Sequence, residues 1–506
     1  MVILDGRTLD LPTLKRIARD REDVSIHADN RDLVERASRA VERIRRSDRP
    51  VYGINTGFGH LSDVKIDSDK LDQLQVNLLM SHACGVGEPL REDVVRAMMA
   101  LRINALIKGY SGIRLCVLEM LVRFLNEGIT PVVFDHGSLG ASGDLVPMAH
   151  MSLPLIGRGE VLYKGERMAA EKALMQAKIA PIEQLHAKEG LSLINGTQAM
   201  SAIGGLVLYD AFRLVRFANL ALSLSMEALE GVTSAFDPRI HEVRGHKGQI
   251  DVAREVLSDL KRSAHTTRQA DKRVQDAYSL RCAPAVHGAS LDALRHARDV
   301  VEIEMNAVTD NPIVFSDEEV LSAGNFHGQP LALVFDYAAI ALSELGNISE
   351  RRIERLVNPQ LSGGLPAFLT KQSGLNSGFM IIQYVAASLV SENKGLAHPA
   401  SVDSIPSSAN QEDHVSMGFG AATKLERILT NLRRIIALEL LAASQALDFR
   451  ERKTMGKRTK IAYELIRKQI PMITLDEVMY PHIRRIESLL EDEAFYDHIF
   501  KGGDDE

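Results

Sequence analysis

The chain has 506 residues, of which 45% are hydrophobic, and a formal net charge of −7 at pH 7. This size can bury a substantial core, whereas the acidic balance argues against nucleic acid or an anionic membrane as a partner and favours a small molecule. The three cysteines, at positions 84, 116 and 282, lack metal-ligand spacing and support neither a disulfide framework nor a cysteine zinc site.

Short strand signals occur in the first 170 residues. VIL at residue 2, PVVF at residue 131 and EVLYKGERM at residue 160 are rich in strand-forming residues, and Lys164-Gly165 is typical of a hairpin turn. The N-terminus, MVILDGRTLD, becomes polar before the apolar core of a signal peptide could form. We therefore expect a cytoplasmic protein whose strands are peripheral.

Helical periodicity dominates the rest of the chain. The first long segment runs from residue 198 to about residue 230. A second segment has apolar residues at alternating steps of three and four, namely Leu331, Val334, Ala338, Ala341, Leu345 and Ile348. A third segment carries an apolar stripe of Leu425, Ile428, Leu429, Leu432, Ile435 and Ile436. Their length predicts a mainly α fold, a long antiparallel helical bundle. Charged residues interrupt the most apolar stretch, 206–229, so we expect no helix that spans a membrane.

We divide the chain into a loop-rich N-terminal region (1–197), a central long-helix bundle (198–450) and a C-terminal helical region (451–506), within one continuous unit. Polar insertions separate the helices, and loops on a rigid scaffold commonly carry function. They are VYGINTGFG at 51, GSLGASGDLVP at 137, LINGTQ at 193, QDAYSLRC at 275, SAGNFHG at 322 and SIPSSANQEDH at 404.

The insertion at 137 contains no histidine, lysine or cysteine. It lacks the G-x-S-x-G of a nucleophile elbow and the lysine of a phosphate-binding loop, so an ordinary surface turn is one interpretation. The other is chemical. Attack of the Gly143 nitrogen on the Ala141 carbonyl, followed by loss of water from Ser142, would give an electrophilic ring made from the backbone.

Ala-Ser-Gly followed by Asp-Leu resembles the motif of the ammonia-lyases and aminomutases that use 4-methylideneimidazol-5-one (MIO), whose members act on histidine, phenylalanine and tyrosine. The other insertions match the family in the same order along the chain. The resemblance implies a fumarase/aspartase-like helical fold and MIO formed autocatalytically from Ala141, Ser142 and Gly143, with no external cofactor. It also implies a homotetramer whose active sites are shared between subunits.

Ammonia elimination needs a base beside the electrophile, because the β-proton of an amino acid is only weakly acidic. Tyr278 and Tyr52 match the catalytic tyrosines of the family; we choose Tyr278 for proton abstraction and Tyr52 for assistance. Steps of three place Gln275, Tyr278 and Arg281 on one flank of a helix or tight turn, and Arg281 matches the residue that binds the substrate carboxylate. The resemblance further implies that Asn195 and Gln275 hold ring and substrate and that Phe326 packs beside the ring. Taken singly, these residues could equally be packing residues, a surface ion pair or a helix terminus.

The pair before the cysteine of SHACGVG, Ser81-His82, resembles the histidine-specific members, and so does Glu412 after Asn-Gln. A carboxylate that faces an imidazole N–H is favourable, whereas beside a phenyl ring it would be unpaired. The resemblance therefore implies conversion of L-histidine to trans-urocanate and ammonia. A tyrosine or phenylalanine ammonia-lyase or aminomutase is the nearest alternative. An inactive scaffold and a serine hydrolase that uses Ser142 also stay open.

Two further features bear on the site. His241 and His246 are five positions apart, on different faces of a helix, and no carboxylate or thiol completes a set, so we expect no metal. Phe134 and Ala285 stand where the family usually has proline and glutamine, which leaves the alignment of the ring or the subunit contacts open to differences.

Overall fold

A computed structural model describes residues 1–47, 49–57, 59, 66–67, 69–451 and 453–501. Its strands are short: β1 (Val2–Leu4), β2 (Val24–Ile26), β3 (Val86–Pro89), β4 (Thr130–Pro131), β5 (Phe134–His136), β6 (Glu160–Tyr163), β7 (Glu166–Ala169), β8 (Ile313–Val314) and β9 (Val320–Leu321). They form a parallel pair, β1–β2, two antiparallel pairs, β3–β5 and β8–β9, and one three-stranded sheet in the order β4-β6-β7.

Helices make up most of the described chain. They are α1 (Leu11–Ala18), α2 (Ala28–Arg45), α3 (Leu71–His82), α4 (Glu92–Leu106), α5 (Leu115–Glu127), α6 (Leu145–Ser152), α7 (Ala170–Ala177), α8 (Glu189–Ile194), α9 (Gln198–Ala228), α10 (Pro238–Glu242), α11 (Lys247–Asp259), α12 (Tyr278–Arg281), α13 (Ala283–Met305), α14 (Gln329–Val357), α15 (Met380–Leu396), α16 (Gly418–Leu447), α17 (Lys457–Gln469), α18 (Tyr480–Glu491) and α19 (Glu493–Phe500). The predicted mainly α architecture is confirmed.

The three predicted long helices are α9, α14 and α16. The side chains of both predicted apolar stripes are all buried, which is why a step of three or four residues identified these helices correctly. By length and composition α14 could cross a membrane. The prediction that no helix spans a membrane considered a different stretch, residues 206–229. Since 67% of its apolar window is buried inside the protein, α14 has the properties of a core helix, which passes the same test.

The strand predictions are confirmed in part. VIL forms β1, and EVLYKGERM forms β6 and β7 joined at Lys164-Gly165, both with positive φ (54° and 81°) as a tight hairpin turn requires. PVVF is wrong as one strand, because β4 ends at Pro131 and β5 begins at Phe134. These two strands pair with different partners, β6 and β3, so the chain changes sheet between them.

The chain divides into two compact units made of interleaved segments. Unit 1 contains residues 1–209, 297–336 and 399–426, and unit 2 contains residues 210–296, 337–398 and 427–506. All strands of the described ranges belong to unit 1. The predicted regions 1–197, 198–450 and 451–506 follow a different division and stay a prediction; residues 502–506 lie outside the described residues.

Candidate active site

The tripeptide Ala141-Ser142-Gly143 lies at a tight turn in unit 1. Its backbone folds back so that Gly140 and Gly143 pair as an isolated antiparallel bridge, and Ser142 has φ of +51°. Gly143 also pairs with Gly196, and a Cβ on Gly143 would lie 2.2 Å from the Gly196 carbonyl oxygen. Only glycine fits this close approach, so the turn is held by backbone contacts that a side chain would break.

Asp144, directly after the tripeptide, is fully buried. Its carboxylate accepts a hydrogen bond from the Met200 amide at 2.8 Å and lies 3.1 Å from the Ser138 hydroxyl. Burial raises the pKa of Asp144 to about 7, although both contacts stabilise the charged form. Its own amide donates to the Gly196 carbonyl at 2.8 Å, which ties the start of α6 to the residues before α9. Asp144 therefore anchors the turn through side chain and backbone.

A cavity of about 420 Å³ opens beside this turn. Five of the predicted residues line it: Tyr52, Ser81, His82, Ser142 and Glu412. The remaining wall is largely apolar, with Ile66, Leu74, Leu78, Leu145, Leu191 and Ile194. An apolar pocket with a few convergent polar groups is the usual form of a small-molecule site.

Two of the polar residues that line the cavity are His82 and Glu412. His82 is the last residue of α3, and its Nδ1 lies 3.0 Å from the Ser81 hydroxyl. Burial lowers the pKa of His82, and the charge of Glu412 partly opposes this effect. Glu412 is held by Ser407, whose hydroxyl donates to Oε2 at 2.9 Å and whose backbone pairs with that of Glu412. The carboxylate is therefore oriented before any ligand binds.

Tyr52 approaches the cavity from the first polar insertion. The amide of Gly59 donates to its hydroxyl at 3.4 Å. Burial raises the pKa of Tyr52, and the negative charges of Glu412 and Asp310 raise it further. The phenol is thus protonated at neutral pH in this environment.

Asn195, at the end of α8, is buried next to Gly196. Its Nδ2 donates to Asp310 Oδ1 at 3.2 Å and to the Asn311 carbonyl at 2.8 Å. Both partners are acceptors, so the orientation of the amide is fixed. Among the described residues the Asn195 amide oxygen has no hydrogen-bond partner. A buried acceptor without a partner is destabilising unless a bound group supplies a donor.

Sequence reasoning missed the ion pair behind Asn195. Lys188 Nζ lies 2.7 Å from Asp310 Oδ2, and both side chains are buried. Burial alone would raise the pKa of Asp310, but the charges of Lys188 and Arg102 lower it. The polar run Thr309-Asp310-Asn311-Pro312 was the available signal, although pairing with a lysine 122 positions away could not be deduced from it.

The second group of predicted residues lies in unit 2. Tyr278 and Arg281 form the ends of the four-residue helix α12, and Gln275 precedes it as an exposed residue, so only two of the three share a helical turn. Tyr278 is 71% exposed, and the Arg281 guanidinium carbon lies 4.5 Å from its ring centroid. None of these three residues lines the cavity of unit 1. Their catalytic roles stay a prediction.

Phe326 is half-buried in the loop before α14 and is not among the residues that line the cavity. Its predicted place beside the ring stays a prediction. Phe134, which departs from the family pattern, packs edge-on against His150 at 5.1 Å between ring centroids. His150 in turn accepts a hydrogen bond from the Gly85 amide at 2.9 Å. Phe134 therefore packs against the residue that binds the loop after His82. Ala285 lies half-buried near the start of α13.

The two histidines considered as metal ligands belong to different local structures. His241 lies in α10, where Ala235 O and Gln249 Nε2 are near its two ring nitrogens at 3.1 and 2.9 Å. His246 precedes α11, so the assumption of one continuous helix was wrong. The described residues contain no group of three or more histidine, cysteine or acidic side chains that could hold a metal ion.

The residues present fit a ring formed from 141–143. Gly143 has no side chain between its backbone and Gly196, and Ser142 lines the cavity. Asn195, whose amide oxygen has no hydrogen-bond partner among the described residues, is adjacent to Gly196 in the sequence. A strained turn of this kind, in which Gly143 has no side chain, favours contact between backbone atoms of the tripeptide.

The sequence model described as aromatic amino acid lyase matches residues 9–468. The chain belongs to this family. It is 54% identical over 502 residues to a histidine ammonia-lyase of Geobacillus thermodenitrificans, covering 99% of both chains. Two solved structures are closely similar. A histidine ammonia-lyase from Trypanosoma cruzi has a TM-score of 0.92 at 41% identity over 99% of this chain and 95% of that one. A tyrosine aminomutase from Streptomyces globisporus has a TM-score of 0.96 at 38% identity over 100% and 99%.

Proposed function

We propose that the chain is a histidine ammonia-lyase, which converts L-histidine to trans-urocanate and ammonia through MIO formed from Ala141, Ser142 and Gly143. The observation that carries the proposal is the cavity of unit 1, whose lining combines Ser142 with His82 and Glu412. Family membership supports the lyase reaction, and the presence of His82 and Glu412 in the lining supports the substrate.

The reaction breaks the Cα–N bond, removes a β-proton and leaves a carbon–carbon double bond. The MIO group supplies an electrophile that makes the amine a better leaving group. Tyr278 takes the β-proton, and Tyr52, which is protonated at neutral pH, assists proton transfer or the departure of the nitrogen. The Asn195 amide oxygen, which has no hydrogen-bond partner among the described residues, accepts a hydrogen bond from the ring or the substrate.

Substrate choice follows from hydrogen bonding between the substrate side chain and polar residues that line the cavity. Glu412, oriented by Ser407, accepts a hydrogen bond from an imidazole N–H, and His82 borders the same space. A phenyl side chain would offer Glu412 no hydrogen-bond donor beyond the Ser407 hydroxyl, which is unfavourable for a carboxylate in an apolar pocket. Arg281 binds the carboxylate of the amino acid with its planar guanidinium.

The proposed assembly is a homotetramer in which another copy supplies Tyr278 and Arg281. Two observations support it. Tyr278 is exposed on its own chain, and exposed apolar side chains occur at helical spacing on α14 (Tyr337, Ile340) and on α15 (Ile381, Tyr384, Val385). Exposed apolar patches of this kind are typical of subunit interfaces. We also propose a cytoplasmic location, with no nucleic acid or membrane as a partner.

The test is to incubate the purified protein with L-histidine and no added cofactor. We expect urocanate and ammonia in equal amounts, and slower reaction with L-tyrosine and L-phenylalanine. The similarity to a tyrosine aminomutase favours one alternative, an aminomutase, which would yield a β-amino acid and release no ammonia. Preference for L-tyrosine, or retention of the nitrogen in the product, would contradict the proposal.

A further inference from the structure

The segment that carries Tyr278 and Arg281 contains a buried carboxylate. Asp276 lies between exposed Gln275 and exposed Tyr278, yet its side chain is only 1% exposed. Its Oδ2 accepts a hydrogen bond from the Val232 amide at 2.6 Å, and its Oδ1 accepts one from Arg273 Nε at 2.5 Å. One carboxylate therefore joins this segment to residues that follow α9.

Arg273 completes the attachment. Its Nη2 donates to the carbonyl oxygens of Leu229 and Glu230, both at 2.9 Å. These carbonyls follow the C-terminus of α9, where a cation is favoured. Asp276 and Arg273 thus form a charge-neutral bridge between the segment and the end of a long helix.

The backbone of Asp276 contacts the proposed carboxylate-binding residue. Its carbonyl oxygen accepts a hydrogen bond from Arg281 Nε at 2.9 Å. The same guanidinium lies over the Tyr278 ring. Among the described residues, Nη1 and Nη2 of Arg281 make no side-chain or backbone hydrogen bond. These two nitrogens are the terminal nitrogens of the guanidinium, and together they can bind a carboxylate in a bidentate manner.

We propose that Asp276 is a positioning residue, which fixes the Arg281 guanidinium through its backbone carbonyl so that Nη1 and Nη2 point to the substrate carboxylate. The inference rests on the proposed function and adds a residue to it. It assigns Asp276 no contact with substrate. Its effect passes through Arg281 and, by the shared stacking contact, through Tyr278.

A second anchor keeps α12 in place when Asp276 is altered. Arg352 Nη1 donates to the Ser279 carbonyl at 3.4 Å, and the buried Glu439 binds Arg352 at 2.5 and 2.8 Å. We therefore expect loss of Asp276 to loosen Arg281 without unfolding unit 2.

The test compares ligands with and without a carboxylate. In the full-length Asp276→Ala protein we expect KM for L-histidine to rise about 10- to 100-fold, the range for a hydrogen bond to a charged group. The inhibition constant of histamine, which keeps the imidazole and the amine but lacks the carboxylate, stays within about twofold. Asp276→Asn, which keeps an acceptor for Val232, gives the same pattern more weakly and serves if the alanine variant does not fold.

A double-mutant cycle with Arg281→Ala identifies the route of the effect. If Asp276 acts through Arg281, then Asp276→Ala changes KM little once Arg281 is absent. The matched control is Asp259→Asn, because Asp259 is another buried carboxylate of unit 2, bound by Arg458 and Ser223. We expect Asp259→Asn to lower the unfolding midpoint but not to change KM for L-histidine relative to the inhibition constant of histamine.

Three results overturn the inference: an unchanged KM in Asp276→Ala and Asp276→Asn, an equal rise for histamine, or the same fold-change with and without Arg281. Each leaves the proposed function intact. Failure of the unaltered protein to bind or deaminate L-histidine would instead contradict the proposed function.

Discussion

The glycine-rich turn at residues 137–144 and the segment at residues 275–281 carry different parts of the proposed chemistry and are held differently. Gly140, Ala141, Gly143 and Asp144 of the turn are buried, and Gly143 packs so closely against Gly196 that no side chain fits at this position. In the other segment Tyr278 is 71% exposed, and Asp276 and Leu280 are buried. All residues of the first region lie in unit 1. In the second region Tyr278, the proposed base, is exposed on the surface of the chain.

This difference indicates that a division exists between residues that must come from one chain and residues that another copy can supply. In the proposed function the electrophile forms from the chain's own backbone, so its residues need the rigid surroundings that the buried neighbours Gly143 and Asp144 give. The base and the carboxylate-binding arginine need only face the substrate, and another copy of the chain can supply them. Four substitutions test this division, and the size of the expected change decreases from the first to the last.

Ser142→Ala removes the hydroxyl that ring formation requires. We expect activity on L-histidine to fall to background, because no electrophile is left to activate the amine. The fold should persist, since the contacts of the turn involve Gly140, Gly143 and Asp144. Circular dichroism and the unfolding midpoint check the fold. Residual activity above background would show that the reaction does not depend on the turn.

Tyr278→Phe should lower kcat by about 10²- to 10⁴-fold, the usual contribution of a general base. The sharper experiment co-expresses it with Ser142→Ala under separate affinity tags. If each site combines residues 141–143 of one copy with Tyr278 of another, the purified mixed oligomer regains activity that neither parent has. A mixed oligomer as inactive as its parents would place both residues in the site of a single chain.

Glu412→Gln should lower kcat/KM for L-histidine by about 10- to 100-fold, because a charged acceptor is replaced by a neutral one. The value for L-phenylalanine should change less. Asp413→Asn is the matched control, since Asp413 is the adjacent, exposed carboxylate. Equal losses for the two substrates would contradict a role of Glu412 in imidazole recognition.

Asp144→Asn tests the raised pKa of the buried Asp144 carboxyl through the pH dependence of the free energy of unfolding. The folded-state pKa of about 7 lies above that of an unfolded aspartate, so the folded chain keeps a proton that the unfolded chain releases. Stability from this proton is lost as pH rises through 7, about 1.4 kcal/mol between pH 6 and pH 8. Both proteins of the comparison carry Ser142→Ala, so that neither can form the ring. The protein that retains Asp144 should lose stability over this range relative to the protein with Asp144→Asn. A pH-independent difference in urea unfolding would contradict the raised pKa.

The long helices could be predicted because their apolar stripes are regular. Leu331 to Ile348 and Leu425 to Ile436 follow the helical period and are buried in α14 and α16. The strands were harder, because PVVF has the composition of one strand while its ends pair with β6 and β3. Composition does not record where a chain changes sheet.

The cavity of unit 1 could be anticipated only through the family motif. Tyr52, His82, Ser142 and Glu412 are up to 360 positions apart, and no local pattern joins them. The Lys188–Asp310 pair and the bridge from Asp276 to Val232 were missed, because buried charge depends on tertiary contacts. Sequence reasoning thus predicted candidate catalytic residues but not the buried charged residues that hold neighbouring segments in place.

The most direct test of the central claim is the intact mass of the unaltered protein under denaturing conditions. The account predicts a mass lower than that of the encoded chain by two molecules of water, with the loss mapped to the peptide that contains residues 141–143 and absent in Ser142→Ala. A protein with the full encoded mass that still deaminates L-histidine would contradict the account.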